Sequence, residues 1–206
     1  MHKRLPFFTV LGIALLLSAA LLTACNLCQS AQGAAASSEA GAALREAISA
    51  SLPPETDELL LPDYVLNPDM PMPTQEVNGL TCIGMLDLPA LGLSLPVLSE
   101  WSYDALRLAP CRYSGSAYRD DMVIAAHNYR AHFGRLSRAA VGDKVCFTDA
   151  DGNLFRYEIA GLETLSPTAV SEMTASGWDL TLFTCTLGGQ ARLAVRCTLL
   201  DTVPAQ

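Results

Sequence analysis

Hydrophobic positions are distributed very unevenly along this chain. From Leu5 to Leu22 they run almost without a break behind a short basic start, "MHKR". No amphipathic period is visible there, so the segment predicts a helix that is apolar all round. A basic start followed by an apolar run at the N-terminus has the layout of an export signal. Its length also lets it stay as a spanning anchor, since roughly 20 apolar residues cross a bilayer. Residues 26–50 are rich in Ala, Ser and Gly and predict a spacer, with a short helix at "ALREAISASL". Between residues 53 and 73 six prolines are interleaved with acidic residues and leucines, which predicts an extended strap lying over a domain surface.

From Val77 onward the pattern changes to short apolar runs separated by turn residues. "LTCIGMLDL" and "LGLSLPVL" predict two strands joined through Pro89-Ala90, and "WSYDALRL" predicts a short helix that ends before the turn-rich "APCRYSGS". "DMVIAAHN" has strand length and carries His127 at its end; "HFGRLSRA" predicts one or two helical turns. "DKVCFTDADGNLFRYEI" splits into a hairpin at Asp151-Gly152. "SPTAVSEMTASGW" is a connection with a helical turn after Pro167, and two final strands cover residues 179–186 and 191–200. The expectation is a leader over 1–25, a spacer over 26–76, and a mainly β domain over 77–206. Seven or eight short antiparallel-rich strands with little helix point to a closed barrel.

The last hairpin brings in chemistry. With Gly188-Gly189 as a two-residue turn, paired residues obey i + j = 377, so Cys185 lies directly opposite Arg192 and Thr181 opposite Arg196. Directly opposed residues have Cβ atoms about 4.5–5.5 Å apart. A fixed positive charge favours a thiolate, and a guanidinium can bind an oxyanion or a peptide carbonyl. Acyl transfer also requires a group that protonates the leaving amine, usually histidine. The chain has three histidines: His2 in the leader, His127 at a strand end and His132 in the loop after it. His127 is the preferred partner, and His132 reads as a surface or structural residue.

Composition narrows the reading further. A net charge of −8 argues against nucleic acid as a partner. Of seven cysteines, Cys25 and Cys28 sit at the leader end; the other five are odd in number, so at least one thiol stays free unless it pairs with another molecule. Their spacing matches no zinc pattern. Asp149, Asp151 and Glu163 are scattered among strands. Neither a metal nor another cofactor is expected.

"LTLFTC" resembles the signature around the nucleophilic cysteine of sortases, the bacterial cell-surface cysteine transpeptidases. "ARLAVRC" resembles the arginine-bearing last strand of that family, and "MVIAAHN" with "HFGRLSRAAVGDKVCFTDADGNLFRYEI" its histidine strand, short helix and hairpin. "IGMLDLPALGLSLPV" and "SPTAV" are similar to its first two strands and to the connection before the cysteine strand. The similarity spans about residues 79–200 in the family's order. It implies a closed sortase-type β-barrel, with Cys185 as nucleophile, His127 as acid and base, Arg192 as substrate or oxyanion ligand, and Thr184 as a substrate contact. The implied partners are sorting-signal-bearing surface proteins and an amine acceptor, either a cell-wall precursor or a pilin lysine.

The subclass stays open. Ala126 stands where many sortases have glycine, and the connection before the cysteine strand lacks the long helical insert of class B. "LTAC" ending at Cys25 resembles the lipobox of bacterial lipoproteins, which implies a lipidated Cys25. Lipid anchor and spanning anchor both place the domain outside the membrane. A non-catalytic binding lipoprotein on the same barrel, and a cysteine hydrolase without acceptor specificity, are the alternative functions.

Overall fold

The computed structural model describes residues 7–52, 61–174 and 177–205. The basic start of the leader and strap residues 53–60 lie outside them. The apolar run and the following Ala/Ser/Gly-rich segment form one helix, α1, Phe7–Ser51. Its apolar 18-residue window is wholly uncovered, which fits attachment to a membrane. Further along, Gly33, Ser37, Ala40, Gly41, Leu44 and Ile48 are buried. Their spacing of three and four residues places them on one helix face. Residues 26–50 therefore differ from the expected spacer. Small side chains let the helix axis approach the domain closely: a Cβ on Gly41 would sit 3.4 Å from the Pro96 ring. Leu44 and Ile48 supply the large apolar contacts, each contributing about 1.5–3 kcal/mol if fully buried.

Part of the proline-rich strap is also helical. One turn, α2, Asp63–Leu66, buries Tyr64. The Tyr64 ring stacks on Tyr118 with centroids 4.5 Å apart and packs against Phe155 at 5.5 Å. The Tyr118 hydroxyl donates to Asp149 at 2.8 Å. Asp149 also accepts from the backbone N–H groups of Asp151 and Asn153 and from the Asn153 amide, so it organises the Asp151-Gly152 turn.

Among the described residues nine strands make up the sheet: β1 Gln75–Val77, β2 Leu80–Leu88, β3 Leu93–Leu98, β4 Cys111–Ser114, β5 Met122–Ala125, β6 Lys144–Asp149, β7 Leu154–Leu165, β8 Leu180–Cys185 and β9 Arg192–Val203. Their order is β1-β2-β3-β4-β5-β8-β9-β7-β6, and a further β2–β6 pairing closes a ring of hydrogen-bonded strands from β2 round to β6. The expected seven or eight strands become nine because β1 is a three-residue edge and β4 lies within the predicted loop. Short helices α3, Tyr103–Leu108, and α4, Val170–Met173, flank the ring, with a 3₁₀ turn at Phe133–Arg138. Inside are Leu86, Ile124, Phe133, Phe147, Phe155, Tyr157, Leu182 and Val195. A second cluster joins Ala40, Leu44 and Ile48 of α1 to Cys82, Leu106, Cys111 and Ala125. All seven cysteines are free thiols.

Candidate active site

The strand arrangement decides which side chains share an edge. β5 and β8 are parallel neighbours with Ala125 opposite Phe183, and β8 and β9 are antiparallel with Cys185 opposite Arg192. The C-terminal ends of β5 and β8 and the start of β9 thus open at one place. His127 follows the first, Cys185 ends the second and Arg192 begins the third. All three line one cavity of about 240 Å³.

The hairpin reaches this register by a route different from a two-residue turn. Thr186 N–H donates to the Ala191 carbonyl at 3.0 Å, and Gly189 N–H to the Thr186 carbonyl at 2.8 Å. The loop therefore covers residues 187–190 between the paired Thr186 and Ala191. It is still centred between Gly188 and Gly189, so the sum of 377 is preserved. Both glycines have positive φ, +85° and +72°, where a side chain would be strained. The Arg192 guanidinium donates to the carbonyls of Gly189 and Ala191, each at 3.2 Å, which holds it over its own turn. Cys185 is half-buried.

Arg196, the other candidate arginine, is only 3% exposed and faces Thr181 across the ladder. It donates to Glu163 at 2.5 Å, to Thr181 at 2.9 Å, and to the carbonyls of Glu172 at 2.5 Å and Met173 at 3.0 Å. These last two belong to α4. Met173 and Val170 line the cavity, so Arg196 fastens one wall of it. The cavity lining also carries an aromatic series that the sequence reading did not select. Trp101 packs on Tyr103 at 5.1 Å and on Tyr113 at 5.8 Å, and Tyr113 meets Phe183 at 5.3 Å. The "WSY" cluster was visible in sequence, but Tyr113 and Phe183 join it only through strand pairing.

Thr184 also lines the cavity, yet its residue is 3% exposed and its hydroxyl donates to the Ala126 carbonyl at 2.8 Å. Ala126 N–H in turn donates to the Phe183 carbonyl at 3.1 Å. Together these bonds fix the backbone just before His127. Thr184→Val keeps the shape and leaves a buried carbonyl without its partner. An expected loss of about 1–2 kcal/mol is measurable by denaturant titration.

His127 stacks on Tyr129 with centroids 4.8 Å apart and planes 27° from parallel. Burial lowers its pKa from the ordinary value of 6.5, and the positive charge of Arg107 lowers it further. His132 is fully buried; its Nε2 lies 3.3 Å from the Gly33 carbonyl of α1, which makes it a structural residue. Burial lowers its pKa as well, and the bond to Gly33 opposes that shift. Both imidazoles are thus harder to protonate in the folded protein than in the unfolded chain. Between their lowered folded values and 6.5 the unfolded chain binds more protons. The contribution to stability is complete above 6.5 and is lost as pH falls through that window. Thermal melts from pH 7.5 to 5 should show a falling Tm, and His132→Asn should reduce the slope.

A sortase domain family matches residues 86–200, more than half of the chain. This chain belongs to the sortase family. Solved structures agree at the level of the fold. The sortase matches sortase C1 of pilus island 1 of group B Streptococcus at a TM-score of 0.59 and 18% identity, over 82% of this chain and 95% of that one. It matches sortase C2 of the same island at 0.53 and 24% identity, over 61% and 77%. Streptococcus pneumoniae sortase C matches at 0.54 and 23% identity, over 79% and 91%. No curated protein sequence matches significantly. Among the described residues no cluster of His, Cys, Asp and Glu could hold a metal ion.

Proposed function

We propose that this sortase is a membrane-tethered cysteine transpeptidase acting on the extracytoplasmic face. It cleaves an LPxTG-like sorting signal and transfers the acyl fragment to an amine. The observation that carries the reading is the shared cavity of Cys185, His127 and Arg192 at the joint edge of β5, β8 and β9. The cavity's aromatic and aliphatic lining suits an extended, largely apolar peptide segment.

In the first half-reaction His127 takes the proton of the Cys185 thiol as Sγ attacks the scissile carbonyl carbon and an S–C bond forms. Arg192 donates to the developing oxyanion or steadies a neighbouring substrate carbonyl. As the tetrahedral species collapses the C–N bond breaks, and His127 gives its proton to the departing amine. In the second half an acceptor amine loses a proton to His127 and attacks the thioester. The S–C bond breaks and His127 returns the proton to Sγ, leaving Cys185 as thiol and His127 neutral, the state in which the cycle began. The acceptor is a cell-wall precursor amine or a pilin lysine, and the donors are sorting-signal-bearing surface proteins. The chain is held at the membrane by the apolar part of α1 or by a lipid on Cys25. The mass of the mature protein separates these, because lipidation at Cys25 removes residues 1–24.

Product analysis tests the reaction. Peptide incubated with the full chain and an amine should yield the ligated product, with hydrolysis dominating only when amine is withheld. Hydrolysis alone at saturating amine would show a hydrolase instead.

A further inference from the structure

α1 records where the domain stands relative to its anchor. Leu27, the last large apolar residue of the uncovered run, precedes Gly33 by six residues. Both lie within one uninterrupted helix, so the rise between them is about 9 Å. From Cys25, the alternative lipid attachment point, the rise is about 12 Å. No flexible linker separates anchor from domain.

The point at which α1 first meets the domain is beside the catalytic histidine. A Cβ on Gly33 would lie 2.5 Å from the Arg107 carbonyl and 3.4 Å from both the Tyr129 and the His132 rings. Tyr129 is the ring that stacks on His127. The far end of the docked helix sits at the opposite pole. Gly152, in the β6–β7 turn, would place a Cβ 2.5 Å from Leu52 and 3.7 Å from Ile48. From Gly33 to Ile48 the helix climbs about 22 Å. The histidine loop is therefore the membrane-proximal end of the domain, and the Asp151-Gly152 turn is the distal end.

The proximal end also carries charge suited to a phosphate layer. Arg130 is exposed in the loop, and the Arg107 side chain is 60% exposed, with Asp104 at 3.4 Å neutralising it in part. Such arginines are attracted to the phosphates of lipid headgroups when held near the surface. We propose that the face bearing Arg107, Tyr129 and Arg130 docks on the phospholipid headgroup layer, so that the catalytic end of the domain stands down on the bilayer at a height set by α1. On the transpeptidase reading, peptides and acceptors held in the membrane reach the groove by lateral diffusion.

The test uses the full chain in phospholipid nanodiscs containing a phosphatidylethanolamine with a diazirine on its headgroup. After illumination, adducts are mapped by peptide mass spectrometry. Adducts at Arg107 and over residues 128–131 should exceed those over 149–153 several-fold. Equal labelling of both poles, the reverse order, or labelling confined to α1 overturns the proposal. A second arm inserts two helical turns of alanine after Cys28, which lifts the domain by about 11 Å without rotating it far. Adducts on the histidine loop should then disappear, and transfer from a bilayer-inserted substrate should fall while turnover of a soluble peptide stays unchanged. The adduct map needs no catalysis, so it stands or falls separately from the transpeptidase reading.

Discussion

Cys185→Ala is expected to abolish turnover of a sorting-signal peptide while leaving the fold intact. The side chain ends β8 at the cavity, half-buried, and its replacement removes only a sulfur from that wall. Without Sγ no thioacyl intermediate can form, and the loss in kcat should reach about 10⁴-fold or more. Intact-mass spectrometry is the decisive readout. Wild-type protein mixed with substrate and no amine should carry the acyl fragment, and Cys185→Ala should carry none. Peptide binding, followed by fluorescence anisotropy, should persist in the variant. Undiminished turnover in the variant would remove the nucleophile assignment, and a chain that binds without ever acylating would be the non-catalytic module.

The second large effect separates the two arginines of β9. Arg192→Lys retains the charge but loses the planar fork, so a lysine ammonium cannot replace the paired donors. An expected drop of about 10²–10³-fold in kcat, with an unchanged melting temperature, follows from the loss of an oxyanion or carbonyl donor. Arg196→Lys should behave in the opposite sense. Its guanidinium serves four acceptors, two of them backbone carbonyls of α4, and one ammonium cannot reach them all. Acceptors stripped of donors in a buried site cost about 2–4 kcal/mol in total. That variant should melt earlier and show a raised KM through a loosened α4 wall, with kcat less affected. Equal kinetic profiles for the two variants would contradict the division of labour.

The strands and the chemistry were readable to different depths. β2, β3, β5 to β9 and the α3 helix appear where apolar runs and turn residues placed them. β4 was hidden because its four residues are bounded by Pro110 and Gly115, and it is a strand only through its pairing with β3 and β5. Residues 26–50 misled for a physical reason. Ala, Gly and Ser have the composition of a linker, yet at three- and four-residue spacing they form the close-packing face of a helix. Whether such a face is used depends on a complementary surface, here Met85, Pro96 and Leu98, which no local pattern reveals.

By itself the sequence determined the Cys185–Arg192 pairing, since strand register is a local arithmetic fixed by where the hairpin is centred. It also determined the apolar terminus and the free thiol, which follow from composition. Only the tertiary structure decided that His127 comes to that hairpin, because β5 and β8 are parallel neighbours separated by more than fifty residues of chain. It likewise decided that Thr184 secures backbone, that Arg196 secures the α4 wall, and that α1 meets the domain at the histidine loop. Each of these depends on contacts between distant segments, and their cause is the closure of the sheet, which no single stretch of sequence contains.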